Sequence, residues 1–139
     1  MNMNLMNQAV ASKQRRINME TIVKEEAIVE NDNGLRRMVQ NIARQLNDGF
    51  DQEDAADYAE DGEEFTAWDY IKDVLDINWI LHNDRTYKGA RVLVAFGGPN
   101  IWIDTNLGLV EGYWWGDYFK ASFTDNVGLD DALEELFNC

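Results

Sequence analysis

A chain of 139 residues with 45% hydrophobic and 12% aromatic side chains can bury one core and is too apolar to be disordered along most of its length. Its formal net charge of −14 opposes direct binding to nucleic acid or an anionic membrane, because phosphate contact needs a cationic face. The longest apolar run, Val92–Phe96, is far too short to cross a bilayer, and Cys139 as the one cysteine excludes an internal disulfide.

The opening MNMNLMNQAVASKQRR has its basic group last, not first, so no secretory signal is read and a cytoplasmic location is expected. Residues 4–30 carry an irregular apolar face (Leu5, Ala9, Val10, Ile17, Ile22, Val23) that predicts a first helix. Asn31-Asp32-Asn33-Gly34 stops it with turn chemistry. Leu35, Met38, Val39, Ile42 and Leu46 then recur at helical spacing, with Asp32 or Asn33 as N-cap and Gly49 past the end. Arg36, Arg37 and Arg44 fall off that stripe and read as a solvated face.

A third, short helix is expected over Asp51–Asp61, burying Ala55, Tyr58 and Ala59. Thr66 caps a fourth, Ala67–Leu75, in which Trp68, Ile71 and Leu75 share a face. From Ile77 the period changes. Ile77–His82, Arg91–Phe96, Ile101–Asp104 and Val110–Trp114 are rich in branched and aromatic residues and read as strands, and Tyr118–Phe123 adds a fifth. The connectors Gly97-Gly98-Pro99-Asn100 and Thr105-Asn106-Leu107-Gly108 are short and glycine-bearing, which predicts antiparallel hairpins. Asp125 or Asn126 caps a closing helix with Leu129, Leu133, Leu136 and Phe137 on one stripe. The expectation is an α+β single domain: residues 1–49 helical, 50–76 an acidic helical segment, and 77–139 a four- to five-stranded antiparallel β-meander plus a C-terminal helix.

Charge is the most informative feature. Thirteen of the 26 carboxylates lie between Asp48 and Asp84, and Lys72 is the one basic residue in that window. Asp48, Asp51, Glu53, Asp54, Asp57, Glu60, Asp61, Glu63 and Glu64 fall within 17 residues. Crowding like charges costs folding energy, so the block is a candidate partner-binding segment, weighed against simple solvation. On a helix, Asp51, Asp54, Asp57, Asp61 and Glu64 would be spaced about 4.5–6 Å along the axis. That resembles the run of phosphates on a nucleic-acid strand, with about 3.4 Å of rise plus a lateral step. A metal site is not read here, because Asp57-Tyr58-Ala59-Glu60-Asp61-Gly62 lacks the order of a calcium loop.

Trp102, Trp114 and Trp115 concentrate on the sheet with Tyr113, Tyr118 and Phe119. One face must pack on the helices, so whichever tryptophan is left exposed is a second partner-binding candidate. On the expected strand Tyr113 and Trp115 point one way and Trp114 the other. Asp104, Glu111 and Asp117 offer a carboxylate set for acid/base hydrolysis, the enzymatic alternative. His82 and Cys139, one of each, make neither a nucleophile–base pair nor a metal site, and no cofactor motif is present. Gly97-Gly98-Pro99-Asn100 is a turn and not a phosphate loop.

The segments ARVLVAFGGPNIWIDT (90–105), LVEGYWWGD (109–117) and DDALEELFNC (130–139) resemble a recurrent family of small phage and plasmid proteins of low-GC Gram-positive bacteria. That resemblance implies a mobile-element context and transfers no functional residue. Small acidic proteins in that context resemble, by analogy, anti-CRISPR or anti-restriction inhibitors, some of them DNA mimics. The expected partner is therefore a basic nucleic-acid-binding protein such as a Cas9-type nuclease, whose DNA channel is positive. An acidic antitoxin or immunity protein that neutralises a nuclease toxin is the further alternative.

Overall fold

Every fourth or third residue of the segment after Gly34 is apolar, and that spacing folds as expected. The computed structural model describes residues 34–59 and 62–139. Helix α1 (Leu35–Asp48) buries Leu35, Val39, Ala43 and Leu46. Gly49 ends it with φ 107°, and its amide donates back to the Gln45 carbonyl at 2.8 Å. The helix read over 4–30 and the Asp32/Asn33 cap lie outside the described residues.

The acidic helix is not formed. Residues 51–59 are turns with a single 3-10 turn at Ala56–Tyr58, and Tyr58 is 69% exposed rather than buried. The Asp51 carboxylate accepts the backbone amides of Glu53 (3.0 Å) and Asp54 (3.1 Å). Gln52 clamps the main chain of Phe65 through both amide atoms, at 2.6 and 3.1 Å. These local bonds compete with helical ones, and carboxylates three and four residues apart would repel on a helix.

Helix α2 (Ala67–Lys72) opens with a capping box between Thr66 and Asp69. The Thr66 backbone amide, donating to Asp69, holds that carboxyl below its ordinary range. The helix is shorter than expected: Asp73 caps it, and Leu75, exposed, has left the helix and donates its amide to Leu93. Only Ala67 and Ile71 are buried along it.

Five strands follow: β1 (Asp76–Leu81), β2 (Tyr87–Ala95), β3 (Asn100–Asp104), β4 (Leu109–Trp114) and β5 (Asp117–Ser122), then helix α3 (Leu129–Phe137). They pair antiparallel in the order β1-β2-β3-β4-β5, a meander, so the fold is the α+β arrangement read from the sequence. α1 lies over β4 and β5, α3 over β2 and beside α2. The core on that side joins Ala90, Val92, Ile101, Ile103 and Val110 to Leu35, Leu46, Leu129 and Leu133.

The cap of the closing helix lies two or three residues beyond the expected Asn126 or Asp125. Gly128 is the N-cap, and Asp125 serves from outside it, accepting the amides of Val127, Gly128, Leu129 and Asp130 at 2.7–3.2 Å. At its far end Phe137 packs with Trp79 (5.3 Å) and Tyr87 (5.9 Å), and Tyr87 donates its hydroxyl to Asp130 at 2.7 Å. Burial, reinforced by that carboxylate, pushes the Tyr87 phenol well above its usual pKa.

Candidate partner-binding surface

Of the nine carboxylates in the acidic block, Glu60 and Asp61 lie outside the described residues. Asp48, Asp51, Glu53, Asp54, Asp57, Glu63 and Glu64 are all exposed, and among the described residues none of them is in an ion pair. They are therefore close in sequence, with no compensating cation among the described residues. They do not, however, form the expected straight row, because the chain there is a looped turn rather than a helix. The block is a cluster of negative potential and not a ruler of phosphate-like steps.

The sheet face turned away from α1 and α3 is built from alternate residues of β2 to β5. In register, Leu93, Trp102, Glu111 and Lys120 form one cross-strand row, and Arg91, Asp104, Leu109 and Ser122 the next. Arg91 reaches across both rows. Its guanidinium lies 4.7 Å from the Trp102 ring centroid, 3.4 Å from Glu111 and 3.9 Å from Asp104. Trp102 is thus half-buried beneath a cation and is not an open anchor.

The possible hydrolytic trio is separated and occupied. Asp104, 4% exposed, accepts the Leu107 amide at 2.8 Å and faces Arg91. Glu111 is shared between Arg91 and the Tyr118 hydroxyl, which donates at 2.7 Å. That hydrogen bond, with some burial, pushes the Tyr118 phenol up to about 12. Asp117 sits opposite Trp114 at the hairpin end, three residues from the ladder position of Glu111, or about 10 Å along the strand. Arg91 brings Asp104 and Glu111 together, but Asp117 stays apart, so the three do not share one site.

Trp114 turns inward, partly buried against the core and next to Gly98 of the β2–β3 turn. Trp115, read as a strand residue, belongs instead to the β4–β5 turn. It is 86% exposed and has φ 55°, followed by Gly116 at φ 84°. Trp114 pairs with Asp117, so the loop has two residues, both left-handed, as tight hairpins require. Glycine or asparagine usually fills the first of them. A bulky, solvent-facing indole there breaks the local rule, and such breaks concentrate at functional positions.

One feature escaped sequence reading altogether. A cleft of about 390 Å³ lies between α1, the 50–58 loop, the end of α2 and Val94 of β2. Phe50 packs edge-on to Phe65 at 5.0 Å and stacks on Tyr70 at 5.2 Å along its wall. Its residues span from Asn41 to Val94, so no local pattern announces it.

Among the described residues no group of three or more His, Cys, Asp or Glu side chains is placed to hold a metal ion. No helix among them is long and apolar enough to cross a membrane. Comparison with family models, curated proteins and solved structures returns no match.

Proposed function

We propose that this protein is an inhibitor that binds a host nucleic-acid-targeting nuclease, a Cas9-type effector being the specific target, and covers a basic surface that reads DNA. The observation that carries the reading is the exposure of seven carboxylates between Asp48 and Glu64, none of which is in an ion pair among the described residues. A cluster of like charge lowers stability by itself and gains by meeting an opposite charge. Positive nuclease channels supply that charge, and Cas9-type effectors combine a basic heteroduplex channel with arginines that read the PAM. Trp115 adds an apolar anchor, which would slow dissociation more than it speeds encounter.

The test is a cleavage assay with purified Cas9-type nucleases, run with protein added before or after guide RNA and before or after target DNA. The expected result is inhibition that is strongest when the protein precedes DNA and that weakens as DNA is raised. Full cleavage at every order of addition and at excess protein would refute it.

A further inference from the structure

We propose that the cleft beside α2 is a receptor for a guanidinium side chain, so that an arginine of the partner inserts there. The inference rests on the proposed protein-binding function and supplies the partner chemistry at one site. Three observations meet in the cleft. Its wall is lined by Phe50, Phe65 and Tyr70, three aromatic rings packed on one another and held by the Gln52 clamp on the Phe65 main chain. Asp51, Asp54 and Asp73 line it, and among the described residues none of the three is in an ion pair. The Tyr70 hydroxyl has no hydrogen-bond partner among the described residues, and burial alone pushes its phenol up to about 12.

An arginine answers each of these. Its flat cation stacks on aromatic faces, its several N–H groups suit carboxylates bidentately, and one of them can donate to a neutral phenol oxygen. An ammonium is a compact point charge and stacks less well. Arg44 also lines the cleft, but its guanidinium is already bonded to the Asn41 side chain, and one cation leaves the three carboxylates in excess. The volume falls within the range of about 300–1,000 Å³ typical of ligand pockets.

The experiment uses the full chain and no nuclease. The blocked peptide acetyl-Gly-Arg-Gly-amide is titrated in, with lysine and citrulline counterparts, while the aromatic NMR resonances are followed. The arginine peptide is expected to shift Phe50, Phe65 and Tyr70 saturably with a millimolar Kd. The lysine peptide should bind about threefold more weakly and the uncharged citrulline peptide about tenfold more weakly. Combined Asp54→Asn and Asp73→Asn should weaken the arginine peptide at least about fivefold, with the Trp79–Phe137 resonances unchanged as the check on folding. Absence of saturable shifts in the three rings, equal binding of citrulline or lysine, or undiminished binding by the double variant would each overturn the assignment. Arginine binding without nuclease inhibition would sink the proposed function and leave the cleft standing, and inhibition without arginine binding would do the reverse.

Discussion

Arg91 lies over Trp102 across the β2–β3 ladder, its guanidinium carbon 4.7 Å from the ring centroid. The two are diagonal neighbours in register, close enough for long side chains to meet. The same guanidinium faces the buried carboxylate of Asp104 and that of Glu111. Truncating Arg91→Ala strips the indole of its cover and leaves Asp104 without its cation. A loss of roughly 1–3 kcal/mol is expected, read as a lower urea midpoint together with a red-shifted tryptophan emission. Arg91→Lys should recover part of the midpoint and little of the emission, because a compact ammonium covers the indole less well than a flat guanidinium. An unchanged midpoint in Arg91→Ala would mean that the network adds no net stability.

The sheet was legible because its signal is local: branched and aromatic runs separated by short glycine-bearing turns. β2 begins four residues earlier than read, at Tyr87, since Lys88 and Gly89 hide the strand's start. The acidic segment departs from its helical pattern because spacing alone cannot weigh an Asp51 side chain accepting the Glu53 and Asp54 amides, or Gln52 reaching thirteen residues ahead to Phe65. The orientation of the tryptophans was only half legible. Alternation separates Trp102 from Trp114 once the core side is known, but Trp115 departs from it at a turn that Gly116 could have signalled. The cleft is assembled by tertiary packing from four separate stretches, and no one-dimensional pattern carries it.

Gly112 on β4 has no room for a methyl group. A Cβ there would stand 2.7 Å from Leu35 Cδ1 and 2.7 Å from Val39 Cγ2 of α1. Both neighbours are fully buried, so relief requires those packed side chains, or α1 with them, to shift. Gly112→Ala should cost roughly 1–3 kcal/mol, measured as a fall in Tm. A neutral result would show that α1 can lift without loss.

Alkali should destabilise the fold in a defined window. Tyr70 and Tyr118 both have phenols raised to about 12, the first by burial, the second mainly by its hydrogen bond to Glu111. In the unfolded chain they titrate near their ordinary value of about 10. The folded state therefore holds these protons more tightly, so its contribution is complete below pH about 10 and is lost as pH rises towards about 12. Urea midpoints across that window should fall, and Tyr118→Phe should fall less steeply than wild type. Parallel slopes would assign the loss to other groups.

Trp115 should trade stability for binding. Trp115→Asn keeps the left-handed turn with a residue that tolerates it, and removes an 86% exposed indole. A gain of about 1 kcal/mol is expected, seen as a higher Tm. If the indole anchors the partner, the same variant should dissociate from the nuclease faster, with association nearly unchanged. A stability gain with unaltered dissociation would make the exposed tryptophan incidental.

The acidic block itself is tested best away from its structural carboxylates. Asp51 holds the Glu53 and Asp54 amides, so reversing it would disturb the turn as well as the charge. Glu53, Asp57, Glu63 and Glu64 are exposed, and among the described residues their carboxylates bond to nothing. Lysine at all four should leave Tm at or slightly above wild type, since repulsion within the block falls. On the proposed function, nuclease affinity should collapse, because attraction becomes repulsion in that complex. Its salt dependence should weaken in step, as the screened charges are the ones removed. Leu133→Ala is the opposite control. Leu133 is fully buried on α3, so its truncation should cost about 2–5 kcal/mol while leaving the exposed carboxylates untouched, and inhibition should persist wherever the variant remains folded. Wild-type inhibition by the fourfold lysine variant would move the binding surface off the acidic loop and onto the Trp115 hairpin.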